Sequence, residues 1–277
     1  QTKDYMNTPI SKFGSKCSSS DKFVEKIAKM GVMDAAISLN EIKENLQSKK
    51  TDGKKNRSVR GIPKLIDANF AGTSKSEECT LILCEGDSAK AGIVSGLSKE
   101  DRNVMGIFPL KGKLLNTLDV AAQKMNMNVE ISNIKKIMGL ESGKEYTHIN
   151  VQKLLRYGKI LIMTDQDLDG IHIKGLCTLL FQTHWHSLIE RKEFIGFMNT
   201  PILKAKKGKK EKCFFNEQEY EIWKKANNDG KGWKIKYYKG LGTSTSKEFK
   251  EYFAKKKIVW FDYSGEKCDD SIDLVFN

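Results

Sequence analysis

Six cysteines, Cys17, Cys79, Cys84, Cys177, Cys213 and Cys268, are scattered through the 277 residues with no Cys-x-x-Cys pair among them. That pattern indicates neither a zinc ribbon nor a disulfide framework, and a reducing compartment is the default. No run approaches the ~20 apolar residues that a membrane-spanning helix needs, so no membrane partner is expected. A signal peptide and an initial methionine are both missing, and a chain that starts at Gln1 reads as a fragment. No internal repeat of about 20–50 residues recurs. Acidic residues are in deficit: 48 Lys+Arg stand against 35 Asp+Glu, a net charge of +13. This excess implies an anionic partner, most simply nucleic acid, with a solvated basic surface as the plainer alternative. The length holds one large domain or two smaller ones and is enough for a sizeable core.

The acids that are present are concentrated. Glu85-Gly86-Asp87-Ser88 follows the apolar run Thr80 to Cys84, and Asp165-Gln166-Asp167-Leu168-Asp169-Gly170 follows Lys159 to Thr164. Both runs are short, apolar and without a helical stripe, as central strands of a parallel sheet are. Ligands of open α/β sheets gather beyond the carboxyl ends of such strands, where both clusters would lie. Three or four carboxylates without a Cys or His ligand suit Mg²⁺, which keeps several waters and takes only one or two carboxylates plus phosphate oxygens. Alternation along an extended Asp-x-Asp-x-Asp run would point all three carboxylates to one side. The same run matches the opening of an EF-hand loop, but the twelfth position, which needs a bidentate Glu, is Leu176, and a strand stands where the incoming helix should be. Either cluster alone also fits a solvated turn with Asp87 or Ser88 capping a helix through Ala89, Ile93 and Leu97. The two together favour a metal site.

Elsewhere the pattern falls into three parts, with boundaries at 1–70, 71–201 and 202–277. The first contains a helix capped by Ser20 or Asp21, striped by Phe23, Ile27 and Met30 and stopped at Gly31, then a basic loop from Gln47 to Arg60 that reads as mobile. In the second, strands at Leu81, Val104–Phe108 and Ile160 alternate with helices at Ala89, Val151–Tyr157 and from about Ile171, which means a parallel, helix-covered sheet. His184 and His186, two apart, point to different faces and make no metal pair. His172 either supports the acidic run or simply starts a helix. The third part opens with a hairpin whose Lys204–Lys212 tip carries six lysines around Gly208 and either grazes DNA phosphate or is solvated. Asn216 with Glu219 starts a helix bearing Tyr220 and Trp223, and Phe249, Tyr252 and Phe253 stripe another, all as core. Lys111, Lys113 and Asn116 sit in a Gly-containing turn after the second strand, where polar donors reach a phosphate or a base edge. Lys239, between tight Gly-flanked positions, is a further phosphate contact or part of a plain connection.

Four segments taken in order carry a resemblance: Glu85 to Lys90, Pro109 to Asn116, Asp165 to Gly170, and Tyr238-Lys239-Gly240-Leu241-Gly242-Thr243-Ser244-Thr245. The chain resembles the Toprim region of a eukaryotic-type type IIA DNA topoisomerase over essentially its whole length. Gln1-Thr2-Lys3 is similar to the family's transducer loop that reaches the ATP γ-phosphate, and Phe13 to Cys17 follows as in that family. The Gly-Leu-Gly-Thr-Ser-Thr stretch points to the eukaryotic or large-virus branch. What the resemblance implies is an α/β fold, a Toprim-type parallel sheet covered by helices, with an N-terminal α-helical connector and a C-terminal α+β extension leading to a winged-helix domain.

It also implies a reversible transesterification on double-stranded DNA, in which a tyrosine forms a 5′-phosphotyrosyl link and frees a 3′-hydroxyl. Glu85, Asp165, Asp167 and Asp169 would hold Mg²⁺, with Mn²⁺ or Ca²⁺ as substitutes, and Glu85 would also shuttle the proton. Lys111, Lys113, Asn116 and Lys239 would touch DNA; Lys111 stands where many relatives carry Arg, which keeps the charge and loses a bidentate fork. Gln1, Thr2 and Lys3 would touch ATP. The tyrosine would come from the partner chain of a homodimer, since Tyr237, Tyr238 and Tyr263 do not match its context. The fragment alone would then be inactive, and the nucleus, or a viral replication site, its location. A non-catalytic basic DNA-binding module and another Toprim enzyme, a primase or nuclease, are the alternatives.

Overall fold

The computed structural model describes residues 19–277. The described residues divide after Leu46 into two units. In the first, helix α1 (Asp21–Lys29) ends where Gly31 takes a φ of +67°, and α2 (Val32–Lys50) follows at once. A left-handed residue closes a helix most cheaply when it is glycine, which has no Cβ to clash.

The second unit is built on a five-stranded sheet. Its elements run β1 (Thr80–Glu85), α3 (Gly86–Gly96), α4 (Asp101–Val104), β2 (Met105–Leu110), α5 (Ala122–Met127), α6 (Val129–Met138), α7 (His148–Leu154), β3 (Lys159–Met163), α8 (Leu168–His184), α9 (His186–Ile189) and β4 (Ile195–Met198). A small antiparallel sheet follows from β5 (Leu203–Lys207), β6 (Lys210–Phe214) and, after α10 (Glu217–Ala226), β7 (Lys234–Tyr237). The chain then returns through α11 (Ser246–Lys255) to β8 (Ile258–Trp260), the edge of the large sheet, and finishes in α12 (Glu266–Phe276). The large sheet has the order β2-β1-β3-β4-β8, parallel except for β8.

Alternation along the central strands fills both faces. Leu81, Leu83, Ile160 and Ile162 join a core with α6, α7 and α8, while Ile82, Cys84, Leu161 and Met163 join another with α3 and α11. Leu81 to Cys84 are all fully buried, and burying each such aliphatic side chain is worth about 1.5–3 kcal/mol. A third, small core under the hairpin consists of Leu203, Ala205, Phe214, Tyr220 and Trp223. Tyr220, Trp223, Phe249, Tyr252 and Phe253 are therefore core, as their helical spacing suggests. Asn216 accepts the Glu219 N–H at 2.8 Å and caps α10 as expected.

Three local expectations are corrected. The acidic run is not extended throughout: α8 begins at Leu168, three residues before the sequence pattern places it, because the Asp167 side chain caps the helix by accepting the Gly170 N–H at 2.8 Å. Asp169 thus lies in the first helical turn. Neither Asp87 nor Ser88 caps α3; the cap position is Glu85, and no side chain bonds there. The basic stretch from Gln47 to Arg60 begins as the last turn of α2 and is tied down rather than free. Gly53 donates to the Leu140 carbonyl at 2.7 Å, Ser48 and Thr51 accept from the buried Lys135 ammonium, and Asn56 accepts from Arg156 at 2.7 Å. Charge composition alone suggests mobility here, whereas the backbone and hydroxyls between the charged side chains fasten the loop.

Candidate metal centre

In-register parallel pairing brings the acidic clusters together. Cys84 is paired with Met163 across β1 and β3, and Glu85 with Leu110 across β1 and β2. Glu85, the loop from Lys111 and the run from Asp165 therefore leave the sheet at one edge. The helices that follow diverge, α3 onto one face and α8 onto the other. A crevice opens where neighbouring connections part in this way, and ligands of such sheets lie there.

Glu85 is half-buried, and its Oε2 is buried with no hydrogen-bond partner among the described residues. Burial, then the charges of Asp165 and Asp167, push its carboxyl above the usual carboxylate range. Buried polar atoms in folded proteins are nearly always partnered, so an orphaned oxygen facing further acids marks a place short of positive charge.

Asp165 is held differently. Its Oδ1 accepts the Leu241 backbone N–H at 2.6 Å, and a Cβ on Gly240 would overlap its carboxylate. Gly240 is at φ +133°, conformational space that only glycine occupies without strain. A side chain on Gly242 would lie 3.1 Å from Ser88 Oγ. The Gly-Leu-Gly turn therefore sits on both acidic strand ends. Lys239, at its start, is exposed.

The outer acids carry lysine counter-charges. Asp169 pairs with Lys113 at 2.9 Å, and that hydrogen bond holds its carboxyl below the ordinary value. Asp87 pairs with Lys64. Lys111 is exposed, while Asn116 is occupied: its Nδ2 donates to the Phe276 carbonyl at 2.8 Å and its Oδ1 accepts the Leu118 N–H at 3.0 Å. His172 stacks on Phe276 with ring centroids 6.0 Å apart. His186 lies between Glu190 and Asp269, and His184, which lines the same cleft, has a buried Nε2 with no hydrogen-bond partner among the described residues. Cys84, beside Glu85, is no ligand candidate, since burial pushes its thiol up to about 12.

No three His, Cys, Asp or Glu side chains among the described residues stand close enough together to hold a metal ion as they are placed. The donor set is all oxygen and incomplete. That suits Mg²⁺, which completes its shell with water and substrate phosphate, and it does not suit a structural zinc or an all-protein calcium site. Gln1, Thr2 and Lys3, expected at ATP, lie outside the described residues, as does Phe13 to Cys17. Sequence reasoning did not foresee the Asp165–Leu241 contact or the Lys64–Asp87 and Lys113–Asp169 pairs. The two glycines around Leu241 were the available sign of a close backbone approach.

Residues 80–196 match the Toprim domain family, and residues 198–277 match the C-terminal associated domain of Toprim. The whole chain is 47% identical over 280 residues to DNA topoisomerase 2-alpha of Rattus norvegicus and 46% identical over 279 residues to DNA topoisomerase 2 of Bombyx mori. It spans 18% of the length of each of these relatives. Among solved structures, the Plasmodium falciparum topoisomerase II DNA-binding, cleavage and re-ligation domain superposes with a TM-score of 0.75 at 50% identity, over 80% of this chain and 30% of that one.

Proposed function

This chain belongs to the eukaryotic type II DNA topoisomerase family as its Toprim region, and from that membership we propose that it is the metal-binding part of an ATP-dependent strand-passing enzyme. The full protein would break both strands of a DNA duplex through 5′-phosphotyrosyl links, pass a second duplex and religate. The observation that carries the metal reading is the orphaned Glu85 Oε2 facing Asp165 and Asp167 at adjacent strand ends.

Glu85, Asp165 and Asp167 are the ligands in this reading, with Asp169 further out and released from Lys113 when needed. Mg²⁺, once bound, supplies positive charge for the scissile phosphate and the departing 3′-oxygen. The tyrosine oxygen forms a bond to phosphorus as the bond from phosphorus to the 3′-oxygen breaks. In this reading Glu85 would relay the proton that the tyrosine hydroxyl loses to the departing 3′-oxygen and carry it back on religation, so that the exchange balances. Lys111, Lys113 and Lys239 neutralise DNA phosphates near the cut. Asn116 joins them after leaving the Phe276 carbonyl.

The nucleophile comes from the partner chain of a homodimer. Tyr238 donates a hydroxyl hydrogen bond to Glu248 and Tyr263 donates its own to Asp269. ATP contact falls to Gln1, Thr2 and Lys3, and the nucleus is the working compartment. By itself this chain neither hydrolyses ATP nor cuts DNA. A Mn²⁺ titration tests the centre: binding is lost in Glu85→Ala and weakened in Asp167→Ala, and unchanged affinity in both variants overturns the reading.

A further inference from the structure

The turn that meets Asp165 is held at both ends by one residue. Glu248, in the first turn of α11, is 8% exposed. Its Oε1 accepts from the Tyr238 hydroxyl at 2.5 Å, immediately before the Lys239–Ser244 segment. Its Oε2 accepts from the Thr245 N–H at 2.8 Å and the Thr245 hydroxyl at 3.0 Å, immediately after it. Lys236 donates to both oxygens, at 2.9 and 2.8 Å. Burial raises the Glu248 carboxyl, but the Lys236, Thr245 and Tyr238 hydrogen bonds outweigh it and hold it down at about 2.

Within the clasped segment, the Leu241 side chain is buried against the α3 and α11 core. Thr243 closes the turn on the Gly240 carbonyl through its backbone N–H at 3.1 Å and its hydroxyl at 2.7 Å. The Ser244 and Tyr252 hydroxyls meet at 3.1 Å. The one backbone N–H sent outward to an acidic ligand candidate is that of Leu241. A capping box at the start of a helix requires only Thr245 and Glu248. The bonds to Lys236 and Tyr238 exceed that need, and they pin the strand that leads into the turn.

We propose that Glu248 is a positioning residue for the metal centre: by clasping Tyr238 and Thr245 it fixes the Lys239–Ser244 turn so that the Leu241 N–H orients the Asp165 carboxylate. This rests on the metal reading of Asp165 given above. Outer hydrogen bonds to a ligating carboxylate set its direction, and losing them typically weakens metal binding about 10–100-fold. Glu248 touches neither metal nor substrate in this scheme; it acts through backbone.

The test is Mn²⁺ binding by electron paramagnetic resonance on the full chain, together with hydrogen exchange at the Leu241 amide. It compares wild type, Glu248→Gln, Tyr238→Phe, Glu85→Ala and Phe214→Leu, the last a change in the small hairpin core that removes none of the Glu248 hydrogen bonds. Glu248→Gln keeps the shape but puts an amide where Lys236 or Thr245 donates. The expected result is Mn²⁺ affinity about tenfold weaker in Glu248→Gln, with faster Leu241 exchange, a smaller change of the same kind in Tyr238→Phe, and neither change in Phe214→Leu. Wild-type affinity and exchange in Glu248→Gln, or an equal loss of affinity in Phe214→Leu, would overturn the proposal. If wild type binds no Mn²⁺, the metal reading fails instead, and Leu241 exchange alone decides whether Glu248 sets the turn.

Discussion

Asp165 and Leu241 are 76 residues apart in sequence, yet the carboxylate of one accepts the backbone N–H of the other at 2.6 Å. Because the donor is backbone, no substitution of the Leu241 side chain deletes it directly. The hydrogen bond depends on the path of the chain on either side.

Gly240 is the most exacting point on that path. Gly240→Ala introduces a methyl into the Asp165 carboxylate at a φ of +133°. A loss of about 1–3 kcal/mol in urea unfolding is expected from the backbone alone, together with weaker Mn²⁺ binding. Gly208→Ala, at the open hairpin tip with nothing near its Cβ position, is the control and should leave Mn²⁺ affinity at the wild-type value.

Acid stability should carry the Glu248 signature. A carboxyl held down at about 2 in the folded chain is charged there while its unfolded counterpart, near pH 4.5, takes up a proton. The unfolded state then binds more protons between those values, so stability rises with pH across the window. The contribution is complete above about pH 4.5 and is lost as pH falls toward 2. Chemical denaturation at pH 3 and pH 6 should show a smaller difference in Glu248→Gln than in wild type; equal differences would remove Glu248 as a source of acid sensitivity.

Arg156 is fully buried and donates to the Asn56 and Ile137 carbonyls and to Asp67. Asp67 also accepts from the Tyr157 hydroxyl. Asp67→Ala strands a buried guanidinium and should cost about 3–5 kcal/mol, read from the urea midpoint. A loss below about 1 kcal/mol would show that water or a rearranged carbonyl takes over.

Lys111 and Lys239 are exposed and form no ion pair among the described residues. The double change Lys111→Ala with Lys239→Ala should weaken binding of any duplex to a similar degree. It should also lower the salt slope by about 0.9 for each DNA phosphate that is no longer neutralised. Fluorescence anisotropy at several salt concentrations gives both numbers, and a preserved slope would place these lysines away from the DNA.

The parts of this fold that announce themselves in sequence are those decided locally. β1 and β3 are short apolar runs that end in acids, the hairpin turns at Gly208, and Asn216 caps α10 through a residue three positions on. What stays hidden depends on distant partners. Lys135 reads as one more lysine in a basic chain, yet it is fully buried against Ser48, Thr51, Ser142 and Asp52. Asp169 looks like a third ligand on an extended run, but the cap from Asp167 bends the chain into α8 first. Spacing identifies acids; it does not show which of them a backbone amide or a lysine already holds.

Phe249 of α11 packs against α3, where a Cβ at Gly92 would overlap its ring and one at Gly96 would lie 2.6 Å from its Cβ. The helix that begins immediately after Glu85 therefore makes room, through two glycines, for the aromatic ring that α11 presents at that position. Inheritance follows from this fit. A chimera joined near residue 197, with residues 198–277 taken from a relative, keeps this fit only if the incoming segment carries a ring of similar size at position 249; a smaller side chain there leaves a void beside Gly92 and Gly96.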